Sequence, residues 1–312
     1  MAVTKEIINS YENYGRCVKI SNGTVEAYVT IDVGPRVIRY AFVGGENVLF
    51  NDIARRSKRM GPDYDNYYYK GAAWYLYGGH RLWITPESAP ETYYPDNEEV
   101  KFEYTDNGAV FTPRAQIKND IQIQIEVNMA DSGTDMKIIH RVTNLRKENL
   151  EFSMWGITVL GRSGLEIIPQ NNHDTALLPN RTLSIWPYTD VTDERFYFGK
   201  DYITLRQNPE AKTAFKIGTD NNHGMAAYVI NGDVFVCKYG HSHPDAKYPD
   251  GGVSFETYTD DNVLEMETLS KIENVKPNET ASHSVCWSLF KANGCPDAKD
   301  EKAIAEFMNK LV

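Results

Sequence analysis

Residues 121–129 read IQIQIEVNM, and their strict alternation decides the fold class. Ile121, Ile123, Ile125, Val127 and Met129 fall on one side of the chain; Gln122, Gln124, Glu126 and Asn128 fall on the other. A period of two is that of a strand with one face in an apolar core and the other towards water. Antiparallel sheets carry that arrangement most readily. Working outwards, MAAYVINGDVFVCKYG (225–240) places Asn231-Gly232 between two β-rich runs. This is a two-residue hairpin signal, because both turn positions need positive φ. Further strands are expected near 17–21, 25–31, 36–43, 100–113, 135–143, 151–160, 252–258, 263–268 and 281–290. Strand follows strand without regular intervening helices, which argues against a parallel α/β fold.

Helical spacing is confined to the chain's end. In DAKDEKAIAEFMNKL (297–311), Ile304, Phe307, Met308 and Leu311 lie on one helical stripe, with Asp297 as the expected N-cap. The expectation is one β domain over 1–312, with 296–312 a packing helix. Segment 55–75, RRSKRMGPDYDNYYYKGAAWY, is polar, aromatic and aperiodic. A long irregular stretch in a β protein is more often functional than accidental.

The 33 Lys and Arg against 43 Asp and Glu give a net charge of −10, the wrong sign for a nucleic-acid groove. A small-molecule partner suits that balance. The first residues, MAVTKEIINSYENYG, carry no apolar stretch of signal-peptide length, and no run is long enough to span a membrane. Cys17, Cys237, Cys286 and Cys295 have no CxxC spacing and read as reduced thiols. The expected location is cytoplasmic; the oligomeric state is not legible.

Polar and aromatic residues gather in five stretches: YGGHRLWITPE (77–87), PQNNHDTALLPNRTLSIWPYTD (169–190), DERFYFG (193–199), CKYGHSHPDAKYPDGG (237–252) and SFETYTDDNVLEMETL (254–269). Aromatic faces pack on the C–H surfaces of sugars while Arg, Asn, Asp and Glu bond hydroxyls, so this inventory suits a carbohydrate. Each stretch alone is better read as core and rim of a large β protein. Five in one chain move the balance towards a site. No GxSxG elbow, GxxxxGK[ST] loop or GxGxxG motif is present. His241 and His243, with Asp250, have metal-ligand chemistry, but a turn with solvent-facing histidines explains the same letters better, so no metal or cofactor is expected. Glu265 and Glu267 share one strand face, with Leu264 and Met266 opposite. Buried, such carboxyls are costly unless paired or functional.

Several of these stretches carry a family resemblance. VTIDVGPRVIRYAFVGGENVLFND (29–52) resembles the first hairpin of the galactose mutarotase-like superfamily, the aldose 1-epimerases and their relatives. Glu267 followed by KIENVKPNETASHSVCW (271–287) resembles its closing strands, with Asn278 where a turn glycine is usual; Asn also enters the left-handed region. GGHRLWITPE, LLPNRTLSIWPYTD, KYPDGGVSFETYT and LEMETLS are similar to an uncharacterised bacterial group of that superfamily, DUF4380. The resemblance covers roughly residues 13–290 and implies a β-supersandwich of two large antiparallel sheets with a carbohydrate cleft. It also implies a glutamate that takes the anomeric hydroxyl proton, at Glu267, and a histidine that protonates the ring oxygen. In TNLRKENLEFSMWGITV (143–159), Trp155 stands where that histidine falls, and an indole cannot act as an imidazolium acid.

The first expectation is therefore an aldose 1-epimerase-like isomerase with Glu267 as base and His80 as substitute acid. Arg81, Trp83, Trp155, His173, Arg181, Lys238, His241 and Tyr248 are the expected substrate contacts. His173 and His241 follow His80 as candidate acids, and His140 reads as structural. The alternatives are a non-catalytic carbohydrate-binding protein, favoured by Trp155, and a sugar lyase or uronate-processing enzyme. A uronate would call for Arg81, Arg181 or Lys238 converging on its carboxylate.

Overall fold

The computed structural model describes residues 2–242 and 246–311. Its frame is two ten-stranded sheets packed face to face. The first runs, in spatial order, Thr4–Ile8, Cys17–Ser21, Val25–Thr30, Val37–Phe42, His80–Ile84, Met154–Leu160, Leu264–Leu269, Phe255–Thr259, Phe215–Thr219 and Leu183–Ile185. The second runs Phe196–Phe198, Tyr202–Arg206, Leu165–Pro169, Met225–Ile230, Asp233–Tyr239, Thr280–Lys291, Met136–Asn144, Ile121–Met129, Gly108–Thr112 and Lys101–Tyr104.

Strand Ile121–Met129 behaves as its alternation demands. Its five apolar residues are buried between the sheets and its polar residues are half-exposed on the outer side. Asn231 (φ 52°) and Gly232 (φ 77°) form the hairpin turn between Met225–Ile230 and Asp233–Tyr239. Asn278 takes the left-handed turn position at φ 62°. The expected strand at 100–113 divides into a hairpin, Lys101–Tyr104 with Gly108–Thr112, and that at 151–160 into Leu150–Phe152 and Met154–Leu160.

The C-terminal helix spans Glu301–Met308, shorter than expected. Its cap is Asp300, which accepts from the backbone N–H of Lys302 and Ala303, and not Asp297. Ile304, Met308 and Leu311 lie against Leu165, Ile167, Val229, Val234 and Val236 on the outer face of the second sheet. Segment 55–75 is not structureless. Lys58–Met60 pairs with Ala73–Tyr75 as a two-stranded ribbon around a short helix, Pro62–Tyr67.

Among the described residues no helix is long and apolar enough to cross a membrane, and all four cysteines are free. The second sheet and its helix leave the first sheet's outer face, at its centre, as the place where side chains of strands distant in sequence converge.

Candidate functional site

Gly78 and Gly79 lead the chain into the central strand His80–Ile84. Both have positive φ, and a Cβ on either would lie within 2.2 Å of a backbone carbonyl oxygen of Phe50 or Val37. Only glycine fits that approach. Beyond it the strand alternates. Arg81 and Trp83 point to the outer face; His80 and Leu82 point between the sheets.

Register then assembles a row across five neighbouring strands. Arg81 stands opposite Ile157, Ile157 opposite Glu267, Glu267 opposite Glu256, and Glu256 opposite Gly218. The next row sets Val159 opposite Glu265, Glu265 opposite Tyr258, and Tyr258 opposite Lys216. Trp83 pairs with Trp155 on the other side. Of these, Arg81, Trp83, Trp155, Lys216, Tyr258, Glu265 and Glu267 line a cleft of ≈ 510 Å³ whose walls add Trp74, Tyr93, Trp186 and Tyr188. A neighbouring depression of ≈ 360 Å³ shares Trp155, Trp186 and Lys216 and reaches Glu256. Such volumes are those of small-ligand sites.

Lys216 is the hub of the floor. Its Nζ lies 2.8 Å from Glu256 Oε2 and 2.9 Å from Glu267 Oε2. All three side chains are at most 5% exposed. The ammonium also sits 4.7 Å from the ring centres of both Trp155 and Trp186, an aromatic clamp. Trp155 Nε1–H donates to the same Glu267 oxygen at 2.7 Å. Beside this, both terminal nitrogens of Arg81 donate to Glu265 Oε1 at 3.2 Å, with the guanidinium 4.4 Å over the ring of Trp83.

The two glutamates flanking Glu267 resist ionisation. Burial pushes Glu256 well above the ordinary carboxylate range; Lys216 opposes this and the charge of Glu267 adds to it. Burial likewise raises Glu265, against the pull of Arg81. Glu256 Oε1 is buried without a hydrogen-bond partner. Glu267, with Glu256, holds Lys216 firmly in its charged form, against the cost of its burial. The floor therefore offers a carboxylate bonded by two N–H donors next to a carboxyl that holds its proton. That is the raw material of acid–base chemistry.

Lys216→Met leaves Glu267 with the indole donor alone. It is expected to cost about 3 kcal/mol, the low end for breaking a buried pair, because Glu256 is already neutral. Urea denaturation at pH 7 measures this. Adding Glu267→Gln should recover most of the loss; a double variant no more stable than Lys216→Met would show that the ion pair is not its cause.

The expected site residues divide. Glu267, Arg81, Trp83 and Trp155 line the cleft together. His80 does not. It is buried between the sheets, its Nε2 sharing a 2.7 Å hydrogen bond with His140 Nε2 and its Nδ1 2.9 Å from Thr158 Oγ1. Burial, with Arg81 and Arg36 nearby, lowers its pKa to about 3, so it is a neutral structural histidine, as His140 is. Lys238 is corrected too. Phe235, Cys237 and Tyr239 on its strand point into the core, which leaves Lys238 exposed on the outer face of the second sheet.

Arg181, His173, His241 and Tyr248 are not among the cleft residues. Arg181 Nε donates to the Asn171 carbonyl, and His173 Nδ1 lies 2.9 Å from Asn222 Nδ2. His241 pairs with Asp220 at 2.6 Å and stacks on Tyr248, in a depression of its own. His243 lies outside the described residues, and among those described no group of three His, Cys, Asp or Glu is placed to hold a metal ion.

Lys216 and Glu256 were not anticipated. The available signal was a lysine inside the apolar strand FKIGT (215–219) and a glutamate in FETYT (255–259), each on the face opposite its strand's core residues.

No protein-family model matches the chain, and no curated protein is similar to it in sequence. Solved structures do share its architecture. A Klebsiella pneumoniae protein provisionally assigned as an aldose 1-epimerase superposes with a TM-score of 0.60 at 12% identity, over 99% of this chain and 86% of that one. A galactose mutarotase-like protein from Lactobacillus casei gives 0.56 at 8% identity, over 88% and 100%. A TPR-domain containing protein from Parabacteroides distasonis gives 0.57 at 14%, over 91% of this chain and 48% of that one. At these identities the likeness shows the fold, and the fold is the galactose mutarotase-like sandwich of two large antiparallel sheets.

Proposed function

We propose that the cleft binds a sugar and moves protons at its anomeric centre, with Glu267 as base and Glu256 as acid, so that the protein interconverts anomers. The observation that carries this reading is the pair of buried carboxyls bridged by Lys216, Glu267 at the foot of the aromatic-walled cleft and Glu256 in the depression that adjoins it. Glu267 takes the proton of the anomeric hydroxyl as Glu256 gives its own to the ring oxygen. The C1–ring-oxygen bond breaks and an aldehyde forms. Rotation about C1–C2 and closure on the other face reverse both transfers: Glu256 recovers its proton from the hydroxyl that closes the ring, and Glu267 gives its proton back to the anomeric oxygen. Trp155 and Lys216 fix the orientation of Glu267, and the indole faces supply packing for the sugar's C–H surface. Fold alone does not fix chemistry; these residues supply it. Membership of the DUF4380 group and a cytoplasmic setting belong to the same proposal, on the motifs and free thiols already described.

A second reading has an observation of its own. One Glu267 oxygen accepts from both Trp155 and Lys216, so that oxygen is already committed to donors of the protein itself. On that reading the cleft binds sugar without converting it. NMR exchange spectroscopy on a panel of aldoses and uronic acids separates the two. Faster interconversion of α and β forms with protein than in buffer supports the isomerase. Saturable binding without faster exchange supports the binding protein.

A further inference from the structure

The charges lining the cleft do not balance locally, and the excess is informative. Its four acidic residues are each engaged. Glu87 accepts from the Tyr93 hydroxyl and Asp260 from the Tyr258 hydroxyl; Glu265 is held by Arg81 and Glu267 by Lys216. Of the five cations, Arg81 and Lys216 are thereby used, and Arg56 is bonded to Asp261 and Asn262. Lys58 and Arg59 remain. Both sit on the ribbon strand Lys58–Met60 at the edge of the cleft, and neither is ion-paired with a carboxylate among the described residues.

Arg59 is not loosely placed. Its guanidinium lies 4.9 Å over the ring of Tyr93, whose ring centre is 4.9 Å from that of Trp83, over which Arg81 lies in turn. An aromatic ladder thus runs from the reactive floor to the ribbon. Stacking leaves the fork of a guanidinium free to bond an anion in its plane. In a chain of net charge −10, two uncompensated cations at the mouth of its cleft are a local reversal of sign.

We infer that the cleft takes an anionic saccharide, with its carboxylate or phosphate held by Lys58 and Arg59 and its anomeric carbon at Glu267 and Glu256. This rests on the reading that the cleft binds a sugar. It replaces the expected convergence of Arg81, Arg181 and Lys238, which the geometry separates.

Calorimetry at low ionic strength tests it on the whole chain with four probes: galacturonate, galactose, glucose 6-phosphate and glucose. At least one acidic sugar is expected to bind about tenfold or more tightly than its neutral counterpart, each such contact being charge-assisted. Lys58→Ala/Arg59→Ala, both exposed positions, should reduce that preference to less than about threefold, as should ~0.5 M salt, which screens exposed charges. A preference seen only for galacturonate assigns a carboxylate, only for glucose 6-phosphate a phosphate, and for both the shared anion. Neutral sugars binding as tightly as acidic ones, or a preference that survives in the double variant, overturns the inference and leaves the sugar cleft standing. Binding of none of the four overturns both.

Discussion

Glu166→Gln is expected to stabilise the protein at neutral pH, with a gain that grows by up to about 1.4 kcal/mol for each pH unit over which the folded protein alone keeps the Glu166 proton. Glu166 lies on strand Leu165–Pro169, whose Leu165 and Ile167 pack under the C-terminal helix, so its own side chain points between the sheets. It is 0% exposed, and neither of its oxygens nor the nearby Thr257 hydroxyl completes a hydrogen bond. Burial raises its pKa well above the ordinary value, and the charge of Glu267 adds to the shift. The folded protein thus keeps a proton that the unfolded chain gives up above about pH 4.5. From there to the raised pKa, stability falls by about 1.4 kcal/mol per pH unit on account of this one group. Glutamine has the same shape and no such proton. Urea denaturation of both proteins at pH 6, 7.5 and 8.5 gives the difference, which should widen across the series. Equal stabilities, or a difference that does not change with pH, would contradict the assignment of Glu166 as a buried neutral acid. Taking the variant against wild type isolates Glu166 from Glu256 and Glu265, whose raised pKa values act in the same direction.

Glu267→Gln is expected to lower the rate of anomer exchange by ~10²–10⁴-fold, the usual worth of a positioned general base. The amide still meets Trp155 and Lys216 in the same space, so sugar affinity should change far less than rate. Glu256→Gln should produce a loss of similar size with a different signature. Wild-type exchange is expected to decline on the alkaline side, as Glu256 surrenders the proton that burial lets it keep. The residual activity of Glu256→Gln should lack that limb. A Glu267→Gln protein as active as wild type would remove the base from the mechanism. An alkaline limb that persists in Glu256→Gln would move the acid elsewhere.

Much of the frame is written in local pattern. Ile121–Met129 needed only its own alternation, and Asn231-Gly232 and Asn278 only their tolerance of positive φ. The same parity rule put Glu265 and Glu267 on one face and Leu264 and Met266 on the other, as the structure has them. Parity also held the answer for two residues that were misplaced. His80 shares a face with Leu82 and cannot accompany Arg81 and Trp83; Lys238 lies between the inward-facing Cys237 and Tyr239. In both, the period of the strand decides the face and the polar character of the motif does not. Lys216 is a different case. Glu267 is 51 positions away along the chain, and two strands of register bring them together. A buried lysine has to be paired, but sequence does not say with what.

The most direct test of the sugar cleft uses the indole N–H resonances of the protein's five tryptophans. Trp74, Trp83, Trp155 and Trp186 line the cleft, whereas Trp287 is fully buried between the sheets. Neutral and acidic sugars titrated into ¹⁵N-labelled protein should include at least one that shifts Trp155 and Trp186 saturably and leaves Trp287 in place. If no sugar moves a cleft indole, or if those that bind leave Trp155 and Trp186 unmoved, the cleft at Glu267, Lys216 and Glu256 is not the sugar site.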